Sequence, residues 1–308
     1  MVFFSTIIPV YNRANLIQRT IKSILEQEYC DTEIIVIDDG STDGTLETIA
    51  KYGNKIKVLQ QQNKGPGAAR NLGISHAKGQ YITFLDSDDL WFPWTLSIYK
   101  EAILNNDFPA FIMGESILFQ SENEIKSVEF SLLTSQFFND YYSSSKESLW
   151  LLPGGVAIKT EFLRQAQCFT NKWINGEDSD LWLKLGTAKG FVRIQSPPVL
   201  AYRQHPNSAV ANHHKTYEGA LHKIQQEKSS FYPGGRTRRI ERLEILMRHI
   251  RPITLACLRE KKISNGWKLY RNTFVWNIYL KRFSYLLAFI FLLIQNYISK
   301  TVFNRTSA

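Results

Sequence analysis

The first ninety residues alternate between short apolar runs and segments whose apolar positions recur at helical spacing. Ser5–Val10 (Ser-Thr-Ile-Ile-Pro-Val), Glu33–Ile37 (Glu-Ile-Ile-Val-Ile), Lys55–Gln60 and Tyr81–Leu85 (Tyr-Ile-Thr-Phe-Leu) read as strands, rich in β-branched and aromatic residues. The Glu33–Ile37 run is nearly continuous in hydrophobicity, the pattern of a strand covered on both faces. Between the first two runs, Leu16, Ile17, Ile21, Ile24 and Leu25 share one helical face, and Asn12 is positioned as a cap. A turn at Asp38–Gly44 leads to a helix from about Thr45 to Tyr52. Gly65-Pro66-Gly67 opens a third helix, with Pro66 in its first turn. Pro9 lacks a ladder donor, so the first strand is expected to stop there or to lie at an edge. Four strand–helix alternations predict right-handed βαβ units and an α/β fold with a mostly parallel sheet flanked by helices.

Two of these strands run into carboxylates: Asp38-Asp39 after the second, and Asp86-Ser87-Asp88-Asp89 after the fourth. Asp is a poor strand former, and three side by side repel one another. A solvated helix-capping turn is one reading of such a cluster. A site for a hard divalent cation, Mg²⁺ or Mn²⁺, is the other. Ligands of open α/β sheets lie beyond the carboxyl ends of the strands, which is where both clusters fall. Gly65–Gly67 lacks the Gly-Lys-Ser/Thr of a P-loop, and no Gly-x-Gly-x-x-Gly follows the first strand. Dinucleotide cofactors and P-loop ATP chemistry are therefore unsupported.

The middle of the chain is less regular. Ala110–Phe119 can hold a strand and Ser116–Phe130 another pair, while Gln136–Trp150 reads as a mobile loop over a cleft. Leu152–Ile158 is a turn entering a strand. Gly176-Glu177-Asp178-Ser179-Asp180 precedes the packed pattern Leu181-Trp182-Leu183. Those acids are either ordinary first-turn residues favoured by the helix dipole or a functional pair.

The four pieces Ile8-Pro9-Val10-Tyr11-Asn12, Val36-Ile37-Asp38-Asp39-Gly40-Ser41-Thr42-Asp43-Gly44-Thr45, Gly67-Ala68-Ala69-Arg70-Asn71-Leu72-Gly73 and Phe84-Leu85-Asp86-Ser87-Asp88-Asp89 occur in order. Together they resemble the nucleotide-binding half of a family 2 glycosyltransferase of the GT-A fold. The likeness continues through Phe162-Leu163-Arg164, Phe169, Glu177-Asp178-Ser179-Asp180-Leu181-Trp182-Leu183 and Tyr202-Arg203-Gln204-His205. It departs at Gln167–Asn171, where the family more often has Gly-Gly-Phe-Asp-Glu. The resemblance implies an inverting, metal-dependent transfer of a sugar from a nucleotide diphosphate sugar, most often UDP-linked, to a hydroxyl. It implies Asp178 as general base, with Glu177 orienting the acceptor. Asp88 would be the main metal ligand, Asp86 would touch metal or sugar-ribose, and His205 would approach the metal or diphosphate. Asp39 would accept from the base edge and Tyr11 would stack on it, with Pro9 and Arg70 completing the pocket. The implied division is a GT-A catalytic domain over 1–232, its nucleotide half 1–105 and acceptor half 106–232. A basic, apolar helical extension over 233–308 follows. The alternative is a membrane-attached nucleotide-sugar binder without turnover.

Charge adds a partner. From residue 201 onward 19 Lys and Arg face 5 Asp and Glu, a net +14, whereas residues 1–200 carry 18 against 23, a net −5. A basic tail interleaved with aromatics suits an anionic surface. No nucleic-acid module is recognisable, which favours a membrane over nucleic acid. Arg236 to Arg251 line a helix expected to end before Pro252. Tyr285–Ile294 is an unbroken apolar run of ten residues, about 15 Å of helix, where a span needs about 20 residues. It reads as an interfacial or re-entrant helix flanked by basic residues; the alternatives are a homo-oligomer (dimerisation) contact, a helix packed on the catalytic domain, and a true span. The acceptor is then a glycan or lipid-linked hydroxyl, and the expected location is cytoplasmic, peripheral on the membrane face. Cys30, Cys168 and Cys257 are far apart and odd in number, which favours a reducing compartment.

Overall fold

A computed structural model describes residues 2–29, 31–204 and 212–306, with side chains as far as residue 296. His205 lies outside the described residues. The chain forms two compact units. One comprises Met1–Ser143, Ser148–Trp173 and Glu177–Ala211, and the other Ser144–Glu147, Ile174–Gly176 and Asn212–Ala308.

The first unit is an α/β domain. Its elements begin β1 (Phe4–Val10), α1 (Ile17–Leu25), β2 (Thr32–Asp38), α2 (Thr45–Ala50), β3 (Lys57–Gln60), α3 (Pro66–His76) and β4 (Tyr81–Phe84). They continue with β5 (Leu90–Trp91), α4 (Thr95–Asn105), β6 (Phe111–Gly114), β7 (Ser116–Phe119), α5 (Glu122–Lys126) and β8 (Thr134–Phe138). The unit closes with β9 (Val156–Lys159), α6 (Thr160–Gln165), α7 (Glu177–Lys184), β10 (Phe191–Ser196) and β11 (Leu200–Arg203).

The main sheet has the order β3-β2-β1-β4-β9-β6-β10-β8. Its first four strands are parallel, β9 runs against β4 and β6, and β10 pairs parallel with β6. A small sheet, β5-β11-β7, stands apart from it. Ile34–Ile37 are buried, as their unbroken hydrophobicity requires. The helix α3 lies close on β1 and β2 because Gly73 has no side chain. A Cβ there would come within 2.6 Å of Ile7 and 2.9 Å of Ile37.

Several local expectations are corrected. β1 is interior and runs through Pro9 to Val10. The Phe3 and Ile7 carbonyls face β4, accepting from Tyr81 N and Leu85 N. By strand alternation Pro9 faces the same way, beyond the last β4 bond, so no donor is missed. Asn12 does not cap α1. It sits at φ +51°, and its Oδ1 accepts from Thr42 N at 2.8 Å, tying the loop after β1 to the loop after β2. The helix after Gly44 ends at Ala50. Ala110–Phe119 forms two strands in different sheets, and Ser116–Phe130 is one strand and a capped short helix. Gln136–Trp150 is not a mobile lid in form: Gln136–Phe138 pair with β10, and Tyr141 and Tyr142 are buried.

The second unit holds α8 (His213–Lys228), α9 (Arg239–Arg259), α10 (Ile263–Tyr279) and α11 (Phe283–Thr306). α9 continues through Pro252, against expectation. A mid-helix Pro costs about 3 kcal/mol, but Leu243, Leu246, Met247, Ile250 and Leu258 are buried on both sides of it, and that packing holds the helix together. α9, α10 and α11 share a core of Leu258, Tyr270, Tyr285, Leu286 and Phe289, with Tyr270 stacked on Phe289 at 3.9 Å. Part of the basic character is consumed internally. Arg242 is buried in a two-bond ion pair with Glu227 (2.9 and 3.1 Å), and Arg282 pairs with Glu244 at 2.7 Å. No helix among the described residues is long and apolar enough to cross a membrane.

Candidate active site

The parallel strands deliver their following loops to one edge of the sheet. After β1, Arg13 N donates to Thr45 Oγ1 at 2.9 Å and Asn12 N to Ser41 Oγ at 2.9 Å, so the loops after β1 and β2 form one wall. Pro9 is buried within β1, and Tyr11 projects beyond it, 45% exposed. Asp39 is buried and heavily bonded. Its Oδ1 accepts from Gln61 Nε2 (2.7 Å) and Lys64 N (2.9 Å), and its Oδ2 from Gly65 N (2.8 Å). The carboxylate therefore organises the turn before α3. Gly65 is required in that turn by its φ of +88°, and a Cβ there would meet the Trp173 indole at 2.6 Å.

After β4, Asp86 and Asp88 are partly exposed and Asp89 is buried. Asp86 Oδ1 accepts from Arg70 at 2.6 Å, and Asp88 Oδ2 lies 3.4 Å from Arg13 Nε. Asp89 faces the other way, accepting from Arg203 N at 2.8 Å, while Arg203 Nε donates to the Asp88 carbonyl at 2.9 Å. These bonds fasten the acidic turn to β11. Burial, then the charge of Asp86, pushes the Asp89 carboxyl well above the usual range. Tyr202 feels the same field. Burial, followed by the charges of Asp89, Asp86, Asp88 and Asp178, pushes its phenol up to about 12.

The Glu177-Asp178 pair opens α7. Glu177 Oε1 accepts from Arg70 at 2.9 Å. Burial raises its carboxyl above the ordinary value, Arg70 opposes that, and Asp178 adds to it. Asp178 is half-buried, and its Oδ1 accepts from Ser179 N at 2.6 Å. Asp180 turns inward to Lys184 at 2.9 Å. Arg70 is thus the joint of the site. It is 3% exposed, forks between Asp86 and Glu177, and lies over the Phe169 ring at 5.3 Å. Residues 16 and 107 positions away along the chain are brought to one guanidinium.

The structure brings together Asp86, Arg70, Glu177 and, through the shared field at Tyr202, Asp88 and Asp178. Asp39, Pro9 and Tyr11 form the neighbouring end of the edge. Sequence reasoning missed Arg13, Trp173, Tyr202 and Arg203. Tyr202 and Arg203 stood in a recognised stretch without a role. Trp173 carried no signal, since it is close to Gly65 only in space. Among the described residues no three of His, Cys, Asp and Glu gather as a metal-binding group. Asp86 and Asp88 nevertheless offer two hard carboxylates in a net negative field. That is the small protein donor set Mg²⁺ uses when substrate phosphates supply the remaining ligands.

The fold and this edge define an α/β domain of the GT-A type. Residues 5–151 match Glycosyl transferase family 2. An uncharacterized glycosyltransferase of Rickettsia conorii is 36% identical over 185 residues, covering 59% of this chain and 30% of that protein. Glycosyltransferase GlyG of Streptococcus pneumoniae is 46% identical over 90 residues, covering 28% of this chain and 30% of its own. The matched segment thus spans about a third of these relatives. In fold, the chain is similar to S. aureus TarS 1–349 in complex with UDP-GlcNAc, with a TM-score of 0.60 at 19% identity over 87% of this chain and 89% of that one. It is also similar to the mannosyltransferase PcManGT from Pyrobaculum calidifontis in complex with GDP-Man and Mn2+, with a TM-score of 0.51 at 18% identity over 96% of this chain and 87% of that one.

Proposed function

We propose that the protein transfers a sugar from a nucleotide diphosphate sugar, most simply UDP-linked, to a hydroxyl of a glycan or lipid-linked acceptor, with inversion. Residues 1–105 hold the donor, and residues 106–232 receive the acceptor. The observation that carries this reading is the Arg70 fork, which ties the Asp86 turn to the Glu177-Asp178 pair. A donor-side carboxylate and an acceptor-side acid pair are thereby held on opposite arms of one rigid cation.

In this reading Asp39 accepts from the base edge and Tyr11 stacks on the base, with Pro9 and Arg70 shaping the pocket. Asp88 and Asp86 would hold Mg²⁺ or Mn²⁺. The ion supplies Lewis-acid stabilisation to the departing diphosphate. Asp178 takes the proton of the acceptor hydroxyl as its oxygen bonds to the anomeric carbon. The bond from that carbon to the diphosphate oxygen breaks, and its electron pair leaves with the diphosphate. Glu177, fixed by Arg70, orients the acceptor. The reaction takes place at the cytoplasmic face of a membrane.

Calorimetric titration with UDP, dTDP and GDP, with and without Mn²⁺, tests the donor site. One nucleotide is expected to bind only with metal, and Asp88→Ala is expected to abolish that binding. Asp178→Asn is expected to bind the donor normally and to lose transfer by about 10²- to 10⁴-fold. Near-normal turnover would remove Asp178 as base.

A further inference from the structure

The second unit presents an inverted helix pair: the faces that solvent meets are its apolar ones. On α11, Phe283, Leu287, Ile290, Phe291 and Ile294 are exposed, at spacings of four, three, one and three along a single helical face. The opposite face, with Tyr285, Leu286 and Phe289, is already spent on the shared core. On α10, Phe274, Val275, Ile278 and Tyr279 make a second exposed stripe at the same kind of spacing. Leu287 is 72% and Val275 70% exposed. Isolated exposed apolar residues are ordinary, but two adjoining helices each carrying a stripe of them are not.

Charge identifies what covers these stripes. After Glu260 the chain contains eight Lys and Arg and not one Asp or Glu in 48 residues. Lys268 and Arg271 lie exposed on the same side of α10 as its stripe, and Lys281 is exposed in the turn between α10 and α11. A second copy of this chain would bring cations against cations with no carboxylate from this segment to answer them. An anionic lipid surface answers both features, accepting apolar side chains below the headgroups and cations at their level. Trp267 and Tyr279, exposed near the two ends of α10, are the residue types that settle at that boundary. α11 is 24 residues long, yet no helix among the described residues is apolar enough to cross. A helix that cannot span but carries a full apolar stripe lies in the interface.

We infer that the outward faces of α10 and α11 form a docking surface for an anionic phospholipid bilayer, with both helices lying in its plane. This deepens the membrane-face part of the function proposed above and rests on that part alone, not on sugar transfer.

The test is co-sedimentation of the full chain with vesicles of phosphatidylglycerol in phosphatidylcholine, and with phosphatidylcholine alone. Binding is expected to the anionic vesicles, weakened by high salt. Leu287→Glu/Phe291→Glu is expected to weaken partition at least about a hundred-fold. Lys268→Gln/Lys281→Gln is expected to weaken it about thirty-fold. Unchanged helicity shows that the variants are folded. Leu287→Trp keeps the surface apolar and is expected to tighten binding, which tests the face even if the acidic variant misfolds. Equal binding of parent and Leu287→Glu/Phe291→Glu overturns the inference. So does an absence of vesicle binding combined with a solution dimer that the same variant dissolves. The vesicle readout itself does not use nucleotide, and helicity alone suffices to show folding, so failure of the transferase reading and failure of the docking surface are seen separately.

Discussion

Replacing Arg70 by Met removes the cation on which the site is built while keeping most of its volume. The guanidinium is 2.6 Å from Asp86 and 2.9 Å from Glu177, and essentially buried. At an effective dielectric of about 20, each such pair attracts by about 6 kcal/mol. Burial of the charges offsets most of that. Removing one partner of a buried pair, however, strands the other and typically costs about 3–5 kcal/mol. Arg70→Met is therefore expected to lose about that much stability at pH 7. Urea denaturation with far-UV circular dichroism reads the loss.

The pH dependence separates charge from packing. Burial already holds the Glu177 carboxyl above its ordinary value, and losing Arg70 raises it further. As pH falls, that carboxyl takes up a proton and needs no counter-charge, so the deficit of Arg70→Met is expected to shrink from pH 7 to pH 5. Arg70→Lys keeps the charge without the fork, and should recover part of the stability but not the joint geometry. A deficit under about 1 kcal/mol at pH 7, or one that is the same at both pH values, would refute the reasoning.

Three further outcomes are expected. Asp89 holds its proton more tightly in the folded chain, so it favours folding at low pH, and that advantage is lost as pH rises through its folded pKa. Asp89→Asn keeps an acceptor for Arg203 N and should match or exceed the parent in urea at pH 7. Asp89→Ala should lose about 1–3 kcal/mol. Burial, then the charges of Lys223 and Arg248, hold His249 down at about 3. The unfolded chain binds that proton first, so stability should fall as pH drops below about 6.5, by about 2 kcal/mol between pH 7 and pH 5. His249→Gln should lack this loss, and an identical pH profile would contradict it. Gly65→Ala meets both a positive φ and the Trp173 ring, and should lose about 1–3 kcal/mol. Adding Trp173→Ala should recover the steric share only, as a double-mutant cycle in thermal melts would show.

Much of the nucleotide half was legible because its signals are local. Glu33–Ile37 could only be a strand covered on both faces, and Asp38-Asp39 and Asp86–Asp89 had to follow strands. Asn12 and Pro9 misled because each was judged by its own neighbourhood. Asn12 bonds across to Thr42, and Pro9 points past the end of β4; both are facts about a neighbouring loop or strand. Pro252 misled for a similar reason, since packing along α9 outweighs a local helix-breaking cost. The Arg-rich tail read as a basic segment for an anionic partner, yet Arg242 is buried against Glu227.

The sequence alone determined that this chain builds a parallel α/β edge lined with carboxylates, because period and composition are properties of consecutive residues. It also determined the absence of acids after Glu260 that gives the last helices their charge. Only the tertiary structure decided which acids share a cation, which carboxyl is buried, and which face of α11 is left to its surroundings. Those depend on distances between residues far apart in the chain. Arg70 joins Asp86 and Glu177 because the loop after β4 and the start of α7 come to the same place, and nothing in the spacing of the three residues contains that distance.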